Sequence, residues 1–110
     1  MPCQPVVSHL LTTIPELSFY LKGKNALSDY LFNIVLEYSG GKKAWSKVIW
    51  DVSAVAWLVN PNWVSTDLVH SPVLTAQKTF SVDHSRHFIR MATSLNRDAI
   101  FADLFEKLTK

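Results

Sequence analysis

The stretch KVIWDVSAVAWLVNP, Lys47 to Pro61, is the most apolar in the chain, and after Lys47 it holds a single charge, Asp51. From Ser46 to Asn60 the segment is apolar on nearly every side and stops ahead of Pro61, which predicts a helix buried from several directions. Such a helix needs cover that 110 residues barely supply. The same stretch poses a chemical question. Burying an unpaired carboxylate costs roughly several kcal/mol unless a hydrogen-bond donor, a cation or a metal compensates it, so Asp51 needs a partner.

The length bounds the chain to one domain at most, hiding about two thirds of the surface it exposes when unfolded. Yet 48% of the residues are hydrophobic, with four tryptophans, six phenylalanines and a mean hydropathy of +0.11. That is more apolar matter than so small a body covers, and it predicts a partner surface. The net charge of +2 comes without a basic cluster longer than Lys42 and Lys43, so neither composition nor patterning points to nucleic acid. Cys3 is the only cysteine, which precludes an internal disulfide and makes a reducing, cytoplasmic compartment the expectation. No basic residue precedes Lys22, so the N-terminus does not read as a signal peptide, and the longest apolar run, Ala54 to Val59, falls far short of the roughly 20 residues a membrane helix needs. No membrane association is expected.

Three further segments carry helix start and stop signals. Thr13 and Glu16 have capping-box spacing around Pro15, and Gly23 stops a short helix over Ile14 to Leu21. Asn25 caps the next, in which Leu27, Tyr30, Leu31, Ile34, Val35 and Tyr38 form one apolar stripe ending at Gly40 and Gly41. Asn96 caps the last, with Asp98 in the first turn and Ile100, Phe101, Leu104, Phe105 and Leu108 on one face. Between Val64 and Leu95 the pattern turns β-rich, with strands predicted over Thr66 to His70, Thr79 to Val82 and His87 to Thr93. The chain reads as α+β, about four helices plus a few short strands.

Several residues invite a chemical reading. His84 and His87, with Asp83, place three metal-capable groups in five residues of DHSRH, but zinc sites gather four ligands from paired clusters, and a solvated turn is the stronger reading. Ser8 and His9 are adjacent, so their side chains do not face each other, and no nucleophile elbow surrounds them. Cys3 has no nearby cation to activate it. Two readings of Asp51 stay open: a first-turn residue binding orphan backbone N–H groups, with Trp50 in the core, or a functional carboxylate.

The segments VVSHLLTTIPEL, GKNALSDYL, AWSKVIWDVSAVAWLVNPNWV and SRHFIRMATSLNRDAIFADLFEKL, in that order and spacing, resemble the C-terminal third of the inosine-uridine preferring nucleoside hydrolases, from residue 2 to residue 108. The resemblance implies an α/β family fold around a mainly parallel sheet, and cleavage of the N-glycosidic bond of ribonucleosides with a bound calcium ion. In that family an N-terminal DxDxGxDD cluster supplies most ligands and the base for the calcium-bound water, and a His-Asp or Trp-Asp pair near the C-terminus completes the site. Trp50 and Asp51 match that pair, which implies a metal-ligand role for Asp51 and base stacking for Trp50. An indole is no useful general acid, so the Trp-type site implies purine leaving groups activated by stacking. Ser39 to Trp45 corresponds to an active-site loop, and Trp45 becomes a second candidate for contacting substrate.

None of the nine acidic residues forms the DxDxGxDD cluster, and calcium takes roughly six to eight oxygen ligands. Residues 1–110 are therefore expected to be a truncated C-terminal portion of a nucleoside hydrolase domain, inactive alone, with no catalytic residue of its own and calcium bound only in the intact enzyme. An uncovered face on the Ser46 to Asn60 helix predicts self-association into a homo-oligomer. The alternative is a noncatalytic α+β interaction or dimerisation module.

Overall fold

The computed structural model describes residues 4–110; the expectation for Cys3 lies outside them. Their order is α1 (Gln4–Val7), β1 (Leu11–Thr13), α2 (Ile14–Leu21), α3 (Ala26–Ser39), β2 (Ser46–Val48), α4 (Val52–Val59), a 3-10 turn (Pro61–Trp63), β3 (Val64–His70), β4 (Val73–Leu74), β5 (Phe80–Ser81), β6 (Phe88–Leu95) and α5 (Arg97–Leu108). This is an α+β chain. Its described strands form three two-stranded antiparallel ribbons, β1 with β2, β3 with β6 and β4 with β5. None of the described pairings is the parallel kind that the resemblance implies for a complete domain.

The helix caps follow the sequence closely. The Thr13 hydroxyl accepts from the Glu16 N–H, Asn25 Oδ1 from the Ser28 N–H at 2.9 Å, and Asn96 Oδ1 from the Ala99 N–H at 3.1 Å, each satisfying one of the donors a helix start leaves open. Helix α3 ends where Gly40 adopts φ 59°, a left-handed conformation glycine takes without strain, and its N–H reaches the Glu37 carbonyl.

The core gathers Leu10, Leu17, Leu21, Phe32, Ala56, Val64, Ala92, Ile100, Phe101 and Phe105. Two clamps hold the elements around it. Asn25 Nδ2 and Ser28 Oγ both donate to the Leu108 carbonyl at 2.8 Å, tying the end of α5 to the start of α3. Arg97 donates through Nε and Nη2 to the Leu11 carbonyl (3.0 and 2.7 Å) and through Nη2 to Glu16 Oε1, which also accepts from the buried Thr12 hydroxyl at 2.6 Å. This knot fixes β1 and α2 against α5.

Three expectations are corrected. The segment from Ser46 to Asn60 is not one helix: Ser46–Val48 is a strand paired to β1, and the helix begins only at Val52. Nor is that helix buried from several directions, since only Ser53 and Ala56 are buried while Val55, Leu58 and Val59 are exposed. On α3 the predicted stripe splits. Of its members Leu31 and Val35 are half-buried, whereas Leu27, Tyr30, Ile34 and Tyr38 face outward; Phe32, outside the stripe, is the residue that turns inward with Ser28 and Ser39, and Ser28 is bonded to Leu108. The predicted strands appear with shifted ends, Thr79 to Val82 shrinking to Phe80–Ser81. The one-turn α1 was not foreseen. No helix among the described residues is long and apolar enough to cross a membrane.

Candidate functional site

Strand β2 leads directly into the Trp50–Asp51 turn. Its pairing with β1 sets Val48 opposite Leu11, and the Ile49 N–H adds a bond to the Leu10 carbonyl at 3.0 Å. Leu10 is fully buried, so the entry to the turn is anchored in the core. From the other side, the Ser53 hydroxyl, 2% exposed, donates to the Trp50 carbonyl at 2.9 Å, and the Ala54 N–H donates to the Asp51 carbonyl at 3.2 Å. The backbone of the turn is therefore held at both ends.

Its two side chains are open. Trp50 is 40% exposed, and Asp51, in helical backbone geometry at φ −78° and ψ −16°, is exposed and makes no side-chain capping bond to α4. Among the described residues its carboxylate has neither a salt bridge nor a hydrogen bond. Two earlier expectations are revised by this. Asp51 is not a buried charge, since the turn sits on the surface, so no desolvation cost compels a partner. Nor does it perform the capping role, because the αR conformation aims its carboxylate away from the orphan N–H groups that an extended cap would reach.

Trp45 lies at the opposite end of β2. Half-buried, it packs on Tyr38 of α3 with ring centroids 6.0 Å apart and planes tilted by 49°, while Lys47 Nζ sits 4.6 Å from the Tyr38 ring centre. Trp50 and Asp51 are brought together, then, and Trp45 is committed to α3. Ser53, which fixes the turn, was not singled out in the sequence; the signal was its position three residues after Trp50, where a hydroxyl reaches back to a carbonyl.

The donors present do not compose a calcium site. Calcium takes roughly six to eight oxygens, and the described residues contain no group of three or more His, Cys, Asp or Glu side chains able to hold a metal. In the DHSRH segment, Asp83 Oδ1 instead accepts from the Ser85 hydroxyl at 2.6 Å and the Ser85 N–H at 2.9 Å, and these bonds hold its carboxyl below the usual aspartate value. His84 packs edge-on against His70, whose Nδ1 donates to the Arg86 carbonyl at 2.8 Å. The segment is a closed turn. The Ser8 hydroxyl is spent on the Pro5 carbonyl at 2.9 Å.

Among the concavities elsewhere are two with largely apolar linings. A groove of about 780 Å³ runs between α2 and α5, floored by Phe19, Tyr20, Phe101 and Phe105. A smaller apolar cavity of about 330 Å³ lies between α4 and the β3–β6 ribbon, lined by Ala54, Trp57, Leu58, Val64, Thr66, Arg90 and Ala92.

No known protein family, characterised protein or solved structure matches this chain.

Proposed function

We propose that this chain is the C-terminal portion of a cytoplasmic, purine-preferring nucleoside hydrolase, in which Asp51 contributes one carboxylate to a calcium ion and Trp50 stacks on the nucleobase. The observation that carries the reading is the state of the Trp50–Asp51 turn: a carboxylate with no partner among the described residues, beside an open indole, on a backbone anchored from both sides. A rigid turn with uncommitted side chains suits a binding role, because the ordering cost has already been met by the fold. Trp45 is the weaker substrate contact, since it is engaged with Tyr38.

This chain's part is to bind and orient. The indole face offers a stacking surface for a flat heterocycle and no useful acid proton. The remaining metal ligands would have to come from an acidic cluster that these 110 residues do not contain. The chain alone is accordingly inactive in this reading, and ribonucleoside hydrolysis requires a segment bearing the aspartate cluster. Release of hypoxanthine from inosine in the joined protein tests this: Asp51→Ala should abolish metal-dependent turnover, and near-normal turnover in that variant would defeat the assignment.

The second reading is a noncatalytic interaction module, favoured by the exposed apolar face of α4. Substitutions on that face separate the two readings, since only the module loses its function when Asp51 and Trp50 are left intact.

A further inference from the structure

The sequence puts small side chains on both walls of the cavity between α4 and the β3–β6 ribbon. Ala54 stands on the helix, Val64 and Thr66 alternate along β3, and Ala92 lies opposite Thr66 on β6. Val64 and Ala92 are buried members of the core and form the floor, while Ala54, Trp57 and Leu58 stand exposed on the helix side. A leucine in place of Ala54 or Ala92 would take up much of the space. With alanine there the cavity keeps about 330 Å³, at the lower end of the roughly 300–1,000 Å³ that small-molecule sites span.

One charge enters this apolar space. Arg90 is the only ionised group among its lining residues, and its Nη1 donates to Thr66 Oγ1 at 3.0 Å, which holds the guanidinium at the wall. From Val52 to Thr66 the chain carries no charged residue. That distribution selects a ligand chemistry. A wholly apolar ligand would strip water from the guanidinium and return nothing for it. A cation would meet its like, and a dianion would bring one charge more than a single guanidinium compensates. A monoanion matches it, and a carboxylate fits the planar arginine fork with paired hydrogen bonds. Trp57, beside Leu58 on the helix, offers a flat face to an aromatic body.

We propose that this cavity binds a small aromatic monocarboxylate, its carboxylate on Arg90 and its ring against Trp57. Neither Trp50 nor Asp51 lines the cavity, so the site does not depend on the hydrolase reading, and the experiment involves neither metal nor nucleoside.

Titration calorimetry of naphthoate into the chain should show one saturable site, half-filled below about 1 mM ligand. In a nitrogen–proton correlation spectrum the indole N–H of Trp57 should shift ahead of the other three. Arg90→Gln should weaken binding by about tenfold or more, and naphthamide, which carries no charge, should bind the unaltered chain more weakly by a similar factor. Ala54→Leu, which fills the cavity from the helix side, should abolish binding. Both substituted positions are exposed, so the far-ultraviolet circular dichroism should be unchanged. The absence of a saturable site overturns the proposal. So does naphthamide binding as tightly as naphthoate, affinity retained in Arg90→Gln or in Ala54→Leu, or a shift that appears first at another indole.

Discussion

Ser53 is the residue on which the geometry of the Trp50–Asp51 turn depends most directly. Its buried hydroxyl makes one hydrogen bond, to the Trp50 carbonyl, and a neutral bond of that kind contributes about 1 kcal/mol. Ser53→Ala should lower the unfolding free energy by about that amount in urea titration, and the Trp50 emission should shift as the turn loosens. Asp83 gives a second test at this scale. With the Ser85 hydroxyl and N–H bonded to it, its carboxyl titrates below the ordinary value. A depressed folded-state pKa means that the turn's stabilisation is present above the unfolded aspartate pKa, about 3.9, and is lost as pH falls through the lower folded value. Carbon-detected NMR titration should find the Asp83 midpoint below that of the same residue in Ser85→Ala. Little of this was readable from residues alone. The Trp50–Asp51 pair was visible as a motif, but whether the acid is buried, capping or open depends on the αR geometry of one residue and on a hydroxyl three positions later.

At the scale of elements, the caps were legible because they are local: Thr13, Asn25 and Asn96 each act within three residues of themselves. The stretch from Ser46 to Asn60 was not, since a continuous apolar run does not distinguish strand from helix. Pairing with β1, more than thirty residues upstream, drew Ser46–Val48 into a strand. Ties of the same long range hold α3, where Asn25 and Ser28 are bonded to Leu108 at the far end of the chain. Arg97 is the strongest of these distant ties. Burial alone would lower the pKa of its guanidinium, but the bonds to Glu16 and Asp98 outweigh it and hold it above the ordinary value. Its ring contact with Phe101, 4.2 Å from the centroid, adds packing. Arg97→Met should cost about 2 kcal/mol in chemical denaturation, since it leaves the Leu11 carbonyl and Glu16 without their donor. Glu16→Gln, which keeps an acceptor, should cost less.

For the whole molecule, the extents of 53 × 31 × 20 Å are elongated, and many large apolar side chains, Phe19, Leu58 and Val82 among them, stay exposed. Composition gave no address for the surplus. Nor does the fold gather it in one place, since Phe19 on α2, Tyr30 and Tyr38 on α3, Leu58 on α4 and Phe80 on β5 are all exposed. The same openness leaves Trp50 and Asp51 accessible, and their role is the claim on which the functional account rests. Paramagnetic broadening by substoichiometric Mn²⁺ addresses it in the joined protein that also carries the aspartate cluster. The account predicts that the indole N–H resonance of Trp50 broadens ahead of those of Trp45, Trp57 and Trp63, and that Asp51→Asn removes the effect. Equal broadening at every exposed carboxylate, unchanged by Asp51→Asn, would contradict it.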